Sequence, residues 1–437
     1  MRPTRYESAR PAGRSHDDPC GRIGEGGEKV GLVISGAAAR GPYQAGVIAE
    51  LLPALTADNQ RPVVIFGTSS GGLNAALLAQ FADENEPGES LVQIWENLEP
   101  ENVFQNPLFP FLGKGLRLAA RATLLPILGA AGIHASQVPF LGSVKSVLDT
   151  TPLRKYAEKL FDDRRVSENI DKYLVHSVGV AATFCPPARA AARTRLFVQG
   201  ESPQKLLQDH AVEVVTTRLN IDHLLASAAI PVVFPPVTIT DPEGAKGSYI
   251  DGGVRLNAPL AAALSLDVTR LVVVSGHSVT YSGPAGNPSR SAGEPDLAAS
   301  LAISLRSVLN DGLTDDLLAL GRRNQLVRQL ARHMKPESLP YQCVPYRIVA
   351  PEDGQLAELA AKSFRKQHSG LRRQFTDPYV AINGLLQAGG DGIGPDELLS
   401  LIFFDRTYAR EQIELGRTHA RAALRRRWRI GPLLSFR

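Results

Sequence analysis

The sequence VIFGTSSGGLNAALLAQ, Val64–Gln80, places a serine between two glycines where an apolar run meets a helical pattern. The apolar run Pro62–Phe66 is typical of a buried strand, and Ser70–Gln80 is typical of a helix. Gly67–Gly71 between them fits the G-x-S-x-G pattern, in which glycines allow a sharp turn that exposes the serine at the edge of a sheet. Ser69 is therefore a candidate nucleophile, and a simple serine-capped turn is the alternative.

The same succession of a strand, a turn and a helix is predicted once before this stretch. Lys29–Ser35 is a strand candidate, and the glycine-containing segment after it leads into a helical pattern with apolar residues four apart at Tyr43, Val47, Leu51 and Leu55. Two such units in succession predict an α/β fold with a mostly parallel sheet covered by helices. Further strands are predicted at 173–184, 194–198, 212–217, 248–250, 270–275 and 345–352.

The chain divides into three predicted regions. Residues 1–28 form a flexible polar leader, 29–277 a catalytic α/β domain, and 298–437 a mainly helical C-terminal extension. An apolar insertion at 106–141 carries Lys114, Arg117 and Arg121 at helical spacing, which suits an interfacial helix or a lid over the active site. A helical subdomain that packs its apolar side on the core is the alternative interpretation of this insertion.

Bulk composition excludes several classes of function. A hydrophobic content of 43% and a charged content of 21% are ordinary for a soluble globular protein. The net charge of +4 is too small to indicate a nucleic-acid partner. Three widely spaced cysteines give neither a disulfide framework nor a metal-ligand spacing, and the expected location is the cytoplasm.

A serine nucleophile needs a base, and the chain offers two kinds of candidate. Of its nine histidines, only His277, just after the predicted strand at 270–275, lies where a catalytic histidine is expected. Asp251 directly follows a short strand and precedes Gly252 and Gly253, so its carboxylate would be exposed at a strand end. Out of context, however, Asp-Gly-Gly is typical of a simple turn.

Four short motifs follow one another along the sequence in a characteristic order. They are SGAAARG (35–41), GTSSG (67–71), ASAAIPVVFPPV (226–237) and DGG (251–253). With them the chain resembles the bacterial members of the patatin-like phospholipase family. The resemblance implies a three-layer α/β/α fold with a mostly parallel central sheet and a helical C-terminal extension.

The resemblance also implies a chemistry. The family cleaves acyl esters of lipids through a serine–aspartate dyad without histidine, so Ser69 would be the nucleophile and Asp251 the base, with an acyl-enzyme intermediate on Ser69. The backbone N–H groups of Gly36, Ala37 and Ala38 would form the oxyanion hole, and Arg40 would support that loop. Neither a cofactor nor a metal is expected, activity would be independent of calcium, and transient contact with the inner membrane surface is expected.

One departure from the family pattern affects the oxyanion segment. The family usually has three consecutive glycines there, whereas this chain has Gly36 followed by Ala37 and Ala38. Alanine retains the N–H group, but it would be strained at either position if the backbone required a positive φ. A weakly active or non-catalytic lipid-binding protein on the same fold is therefore one alternative. A conventional esterase that uses His277 is another.

The C-terminal segment 416–437 is strongly basic. Its arginines surround Trp428, and those at 417, 421 and 425 would share one helical face. Such a segment could rest on anionic head groups. A solvated terminal helix is the preferred interpretation.

Overall fold

The computed structural model describes residues 28–103, 150–187, 190–203, 212–231, 233–279, 297–335, 338–339, 341–368 and 393–433. The predicted leader, except Glu28, and the apolar insertion 106–141 lie outside these residues. None of the described helices combines the length and apolar character needed to span a bilayer.

A nine-stranded sheet forms the centre of the described structure. Seven strands follow the order β5-β4-β3-β2-β1-β8-β9, and β7 pairs with β3 and β6. The pairs β1–β2, β1–β8, β2–β3, β4–β5 and β8–β9 are parallel. The strands are β1 (Val30–Ile34), β2 (Pro62–Thr68), β3 (Ser177–Cys185), β4 (Arg193–Gly200), β5 (Val212–Thr216), β6 (Val237–Ile239), β7 (Gly247–Asp251), β8 (Arg270–Val274) and β9 (Tyr346–Val349).

Helices cover both faces of this sheet. They are α1 (Gly41–Ala57), α2 (Ser70–Gln80), α3 (Pro87–Glu96), α4 (Pro100–Val103), α5 (Thr151–Leu160), α6 (Asp163–Asp171), α7 (Ile221–Ser227), α8 (Leu260–Leu264), α9 (Leu297–Leu330), α10 (Gln355–His368), α11 (Ile393–Ile402) and α12 (Arg406–Leu424). A short 3₁₀ turn, Ala38–Arg40, precedes α1.

The alternation of side chains along β1 shows the layering. Leu32 and Ile34 belong to the apolar cluster that includes residues of α1, α2, α3 and α12. Val33, between them, belongs to the second cluster, with residues of α8 and α9. Because successive side chains of a strand point to opposite faces, the sheet is buried on both sides. The predicted three-layer α/β/α fold with a mostly parallel sheet and a helical C-terminal region is confirmed.

The C-terminal region is tightly joined to the sheet domain. Its strand β9 extends the sheet beside β8, and α12 packs directly against α1. A Cβ atom on Gly46 would lie 2.2 Å from the Ile413 carbonyl oxygen, and one on Gly416 would lie 2.2 Å from the Tyr43 carbonyl oxygen. These two glycines therefore let the helix backbones meet. The division at 277 and 298 stays a prediction.

One local prediction needs correction, and two local features were not predicted. The strand predicted from Tyr173 begins only at Ser177, because Tyr173 has a φ of 58° and its side chain is 80% exposed. Strand β6 was not predicted, since three residues are too few to show a period. Cys343 is disulfide-bonded, whereas Cys185 is a free thiol. The disulfide was not expected, because the spacing of three cysteines carries no pairing signal.

Candidate active site

The register of β3 brings Ser69 and Asp251 together. Strand β2 runs parallel to β3 and ends with Thr68 opposite Ala181. Strand β7 runs antiparallel to β3 and ends with Asp251 opposite Ala182, the next residue along. Thus β2 and β7 approach the same point of β3 from opposite directions. Ser69, which follows Thr68, and Asp251 become neighbours across that point.

Ser69 lies in a strained turn between β2 and α2. Its φ of 56° and ψ of −131° are rare for a residue with a side chain. The turn is closed so tightly that a Cβ atom on Gly67 would lie 2.1 Å from the Gly71 carbonyl oxygen. A Cβ atom on Gly71 would in turn lie 2.3 Å from the Ser35 carbonyl oxygen. Ser69 occupies the N-cap position of α2 but makes no capping hydrogen bond with its side chain, unlike a simple capped turn.

Ser227, at the end of α7, holds the turn in place. Its Oγ accepts a hydrogen bond of 2.9 Å from the Ser69 N–H and donates one of 2.6 Å to the Ala181 carbonyl oxygen. The side chain is fully buried. Sequence reasoning missed this residue, although it lies within the quoted ASAAIPVVFPPV segment. A serine among alanines at a helix end was the only available signal.

Asp251 is buried and held by backbone groups. Its Oδ1 accepts a hydrogen bond of 2.7 Å from the Gly253 N–H, its own N–H donates to the Ala229 carbonyl, and its carbonyl accepts from the Thr183 hydroxyl at 2.9 Å. A Cβ atom on Gly252 would lie 2.2 Å from the Ala181 carbonyl oxygen, so the Asp-Gly-Gly segment also lies against β3. The aspartate therefore has a fixed orientation.

Burial sets the protonation of Asp251. Desolvation raises its pKa to about 7, against smaller lowering effects of the Ser69 hydroxyl and the Gly253 N–H. Although the Ser69 hydroxyl interacts with the carboxyl group, the buried Oδ2 accepts no hydrogen bond of normal length and angle among the described residues. A carboxyl group with this pKa is ionised in about half of the molecules at neutral pH and is a far stronger base than an exposed aspartate.

The segment that precedes α1 passes beside Ser69. A Cβ atom on Gly36 would lie 3.3 Å from the Ser69 Cβ. The Gly36 N–H donates to the Asn257 carbonyl at 2.9 Å, so this amide, predicted as an oxyanion donor, is already engaged. Within the described part of the chain, the N–H groups of Ala37 and Ala38 donate to no other group. They are the remaining candidate donors.

The two alanines differ in backbone conformation. Ala37 has a φ of −150°, whereas Ala38 has a φ of 52°, in the left-handed region that favours glycine. A left-handed conformation costs an L-residue about 1–2 kcal/mol. The strain considered from the sequence is therefore present, at Ala38 alone of the two.

Arg40 anchors this segment to the C-terminal region. The guanidinium is 3% exposed and forms a 2.8 Å ion pair with Glu397 of α11. Its Nε donates to the Ser400 Oγ at 3.1 Å, and one terminal nitrogen donates to the Gly276 carbonyl oxygen at 3.4 Å. Sequence reasoning named Arg40 as a support of the loop but missed Glu397 and Ser400, more than 350 residues away, because no local pattern connects them.

His277 also lies in the Arg40 cluster. Its Nδ1 is 2.9 Å from an Arg40 terminal nitrogen. Because a guanidinium only donates, Nδ1 is the acceptor and the ring is neutral with its proton on Nε2. A catalytic histidine usually has a carboxylate at this ring nitrogen, which stabilises the imidazolium, whereas a cation there opposes its formation.

The comparison with known families agrees with this geometry. The family "Patatin-like phospholipase" matches residues 32–264, more than half of the 437-residue chain. The chain belongs to the patatin-like phospholipase family. Among solved structures, this patatin-like chain is similar to VipD from Legionella pneumophila, with 13% sequence identity and a TM-score of 0.24, over 94% of this chain and 91% of that chain. No curated protein matches it significantly.

The matched range of the patatin-like chain includes Ser69, Asp251, Ser227 and the segment 36–40. The partners of Arg40 in α11 lie beyond it. Within the described residues, no group of three or more His, Cys, Asp or Glu side chains is arranged to hold a metal ion. The family match therefore places this chain among the lipid acyl hydrolases.

Proposed function

We propose that the protein is a serine hydrolase that cleaves acyl esters of glycerophospholipids or lysophospholipids with Ser69 as nucleophile and Asp251 as base. The observation that carries this proposal is the meeting of β2 and β7 on β3, which places the buried Asp251 carboxyl beside the Ser69 hydroxyl. The Asp251 carboxyl group interacts with this hydroxyl.

The reaction has two halves. The Asp251 carboxylate accepts the Ser69 hydroxyl proton while Oγ attacks the ester carbonyl carbon, and the resulting tetrahedral intermediate releases the alcohol, which takes the proton from Asp251. In the second half, Asp251 accepts a proton from water as the water oxygen attacks the acyl-enzyme. Collapse of the second intermediate releases the fatty acid and returns the proton to Ser69.

Two features support these steps. The pKa of about 7 lets Asp251 act as both base and acid near neutral pH, where either form is well populated. The N–H groups of Ala37 and Ala38 are the proposed donors to the oxyanion, and loss of one such donor typically lowers the rate by a factor of about 10²–10³. Arg40 would keep the segment in position through Glu397.

An apolar groove along the helix that follows Ser69 supports a lipid substrate. Leu73, whose N–H donates to the Ser69 carbonyl, lies one helical turn from the nucleophile, and side chains of α3, α5 and α7 complete the groove. Its lining residues are apolar apart from the Tyr156 hydroxyl and the Trp95 indole N–H, which donates to Asn74. The groove has a volume of about 60 Å³, so it matches a short part of a fatty acyl chain, whose burial there removes both apolar surfaces from water.

The proposal includes three further expectations. Since two side chains supply the nucleophile and the base, hydrolysis should proceed without a cofactor and should be insensitive to EGTA. Access to lipid requires transient contact with a membrane surface, which in a cytoplasmic protein is the inner surface. Fractionation of cells and the EGTA assay test these expectations.

A fluorophosphonate probe tests the nucleophile directly. Folded wild-type protein should be labelled on Ser69, the Ser69→Ala protein should not, and Asp251→Asn should label far more slowly. His277→Gln is the matched control, since it removes the histidine of the alternative esterase mechanism. Normal labelling of Asp251→Asn together with none of His277→Gln would overturn the dyad.

A non-catalytic lipid-binding protein is the second candidate, favoured by the strained Ala38 and the engaged Gly36 amide. It predicts that no variant reacts with the probe while lipid still binds. Labelling of wild-type Ser69 rejects it.

Acyl-chain length tests the groove. Leu73→Trp narrows it, because Leu73 is only partly buried and faces it. Hydrolysis of a long-chain nitrophenyl ester should then fall at least tenfold relative to a butyrate ester. Leu359→Trp, on another surface groove beside α10 and α12, is the control and should change neither. An equal loss for both esters in Leu73→Trp would remove the groove from the proposal.

A further inference from the structure

A second, basic cavity lies between β9 and the end of α12. Its volume is about 260 Å³, and four arginines line it: Arg347, Arg426, Arg427 and Arg429. Glu352 and His419 also contribute to its wall, and most of the remaining lining is apolar. Small-molecule sites commonly occupy roughly 300–1,000 Å³, so this cavity suits a head group better than a whole lipid.

The basic segment after α12 is held on the sheet. Residue Arg429 exchanges two backbone hydrogen bonds of 2.8 Å with Tyr346, and the Tyr346 hydroxyl donates to the Gly431 carbonyl oxygen at 2.8 Å. Trp428 contacts the guanidinium groups of Arg270 and Arg347, whose Cζ atoms lie 5.0 Å and 4.5 Å from its ring centre. The terminal helix preferred from the sequence therefore ends at Leu424, and the backbone that follows is attached to the sheet. The side chains of Arg426, Arg427 and Arg429 are exposed, so they are open to a ligand at the cavity.

The arginines that line the cavity have few acidic neighbours in the described structure. Farther back on α12, Arg417 pairs with Glu89 and Arg421 with Glu50. Within the described residues, by contrast, no ion pair involves the four arginines that line the cavity, and Glu352 is the single carboxylate in its lining. Burial lowers the pKa of His419, so this side chain adds no positive charge at neutral pH.

Arg347 shows the imbalance most clearly. Its buried Nε has no hydrogen-bond partner in the described structure, and one terminal nitrogen donates to the Arg426 carbonyl oxygen at 3.3 Å. Burial lowers the pKa of Arg347, Asp58 raises it, and the neighbouring Arg270 lowers it. A guanidinium with a buried, unsatisfied donor gains most from an anion that accepts several hydrogen bonds.

We propose that this cavity binds a phosphomonoester group, presented by an anionic lipid head group or by a soluble phosphate. A phosphomonoester carries up to two negative charges and three acceptor oxygens, which match convergent arginines. Strand β9 is three strands from β2 in the sheet, a lateral separation of about 14 Å. In a glycerophospholipid only a few bonds separate the phosphate from the acyl ester, so the ligand here is a second molecule and not the substrate on Ser69.

Binding is tested in the Ser69→Ala background, so that vesicle lipids are not consumed. Sedimentation with phosphatidylcholine vesicles containing phosphatidic acid is compared with vesicles of phosphatidylcholine alone, and inorganic phosphate is tested by thermal shift. Arg426→Gln/Arg427→Gln removes two cavity charges, and Arg406→Gln/Arg410→Gln removes two charges from surface ion pairs on the preceding helix, α12. The expected loss in the cavity variant is about 30-fold in affinity, with little change in the control.

The outcomes separate the two sources of phosphate. Vesicle binding that depends on Arg426 and Arg427 assigns the site to a lipid head group. A thermal shift with inorganic phosphate that is lost in the same variant, without vesicle binding, assigns it to a soluble phosphate. Absence of both in wild-type protein, or equal losses in the cavity and control variants, would overturn the proposal. Neither result depends on whether Ser69 is catalytic.

Discussion

Replacement of Asp251 by Asn should abolish hydrolysis and yet stabilise the fold above neutral pH. The pKa of Asp251 is about 7 in the folded chain and near 3.8 without burial, a difference of roughly 3 units. At about 1.36 kcal/mol per unit, the ionised carboxylate costs the folded state about 4 kcal/mol at pH 8. Asparagine has nearly the same shape and retains the acceptor for the Gly253 N–H, but it carries no charge.

The sign follows from proton binding. Between pH 3.8 and 7, folded Asp251 holds its proton while the unfolded chain has lost it. The free energy of unfolding of the wild-type protein therefore falls as pH rises through this window. Asp251→Asn lacks this titration, so its advantage should be near zero at pH 4 and should approach about 4 kcal/mol at pH 8.

Urea unfolding of both proteins at pH 4.5, 6 and 8 measures this difference, and Glu243→Gln, at an exposed carboxylate, is the control. Hydrolysis of a short-chain ester by the wild type should rise with pH through an apparent pKa near 7. An advantage of Asp251→Asn that does not change with pH, or a variant less stable than wild type at pH 8, would refute the electrostatic account. The basicity of Asp251 would then need another physical explanation than burial.

Three further predictions concern the residues around the dyad. Ala38→Gly should stabilise the fold by up to about 1 kcal/mol, because relief of left-handed strain exceeds the entropy that glycine adds to the unfolded chain. The control Ala39→Gly, in the 3₁₀ turn, should destabilise the fold by about 0.5–1 kcal/mol, and urea unfolding measures both changes. Ser227→Ala removes the acceptor of the Ser69 N–H, so it should cost about 1–3 kcal/mol in stability and lower kcat, with no effect on kcat arguing against a positioning role. Glu397→Leu should destabilise by about 3–5 kcal/mol by leaving Arg40 buried and unpaired, and addition of Arg40→Met should recover much of this loss in thermal unfolding.

The central parts of the fold and site were predictable because their signals are local. Ser69 and Asp251 each follow a short apolar strand and lie beside glycines, so a few residues are enough to mark each position. That the two positions meet depends on the register of β3, where Thr68 lies opposite Ala181 and Asp251 opposite Ala182. The sequences of β2 and β7 do not encode this register, so only the family resemblance related Ser69 to Asp251.

The missed residues act through contacts between distant parts of the chain. Ser227 supports Ser69 across 158 positions, and Ser400 binds Arg40 across 360. A lone serine on a helix carries no pattern that predicts such a partner. The basic C-terminal segment was noticed from its composition. Its attachment to β9 depends on contacts of Tyr346 and Arg347 with residues 426–431, which no periodicity predicts.

The two alanines of the oxyanion segment present different physical problems. A Cβ atom on Gly276 would lie 2.3 Å from the Ala37 Cβ, so the Ala37 methyl group fits because position 276 has no side chain. Packing has thus accommodated Ala37, whose φ of −150° lies outside the left-handed region. Ala38 has no equivalent relief, because its strain lies in its own φ of 52°. The departure from three glycines is therefore a matter of space at one position and of backbone energy at the next, and restoring glycine should help only at Ala38.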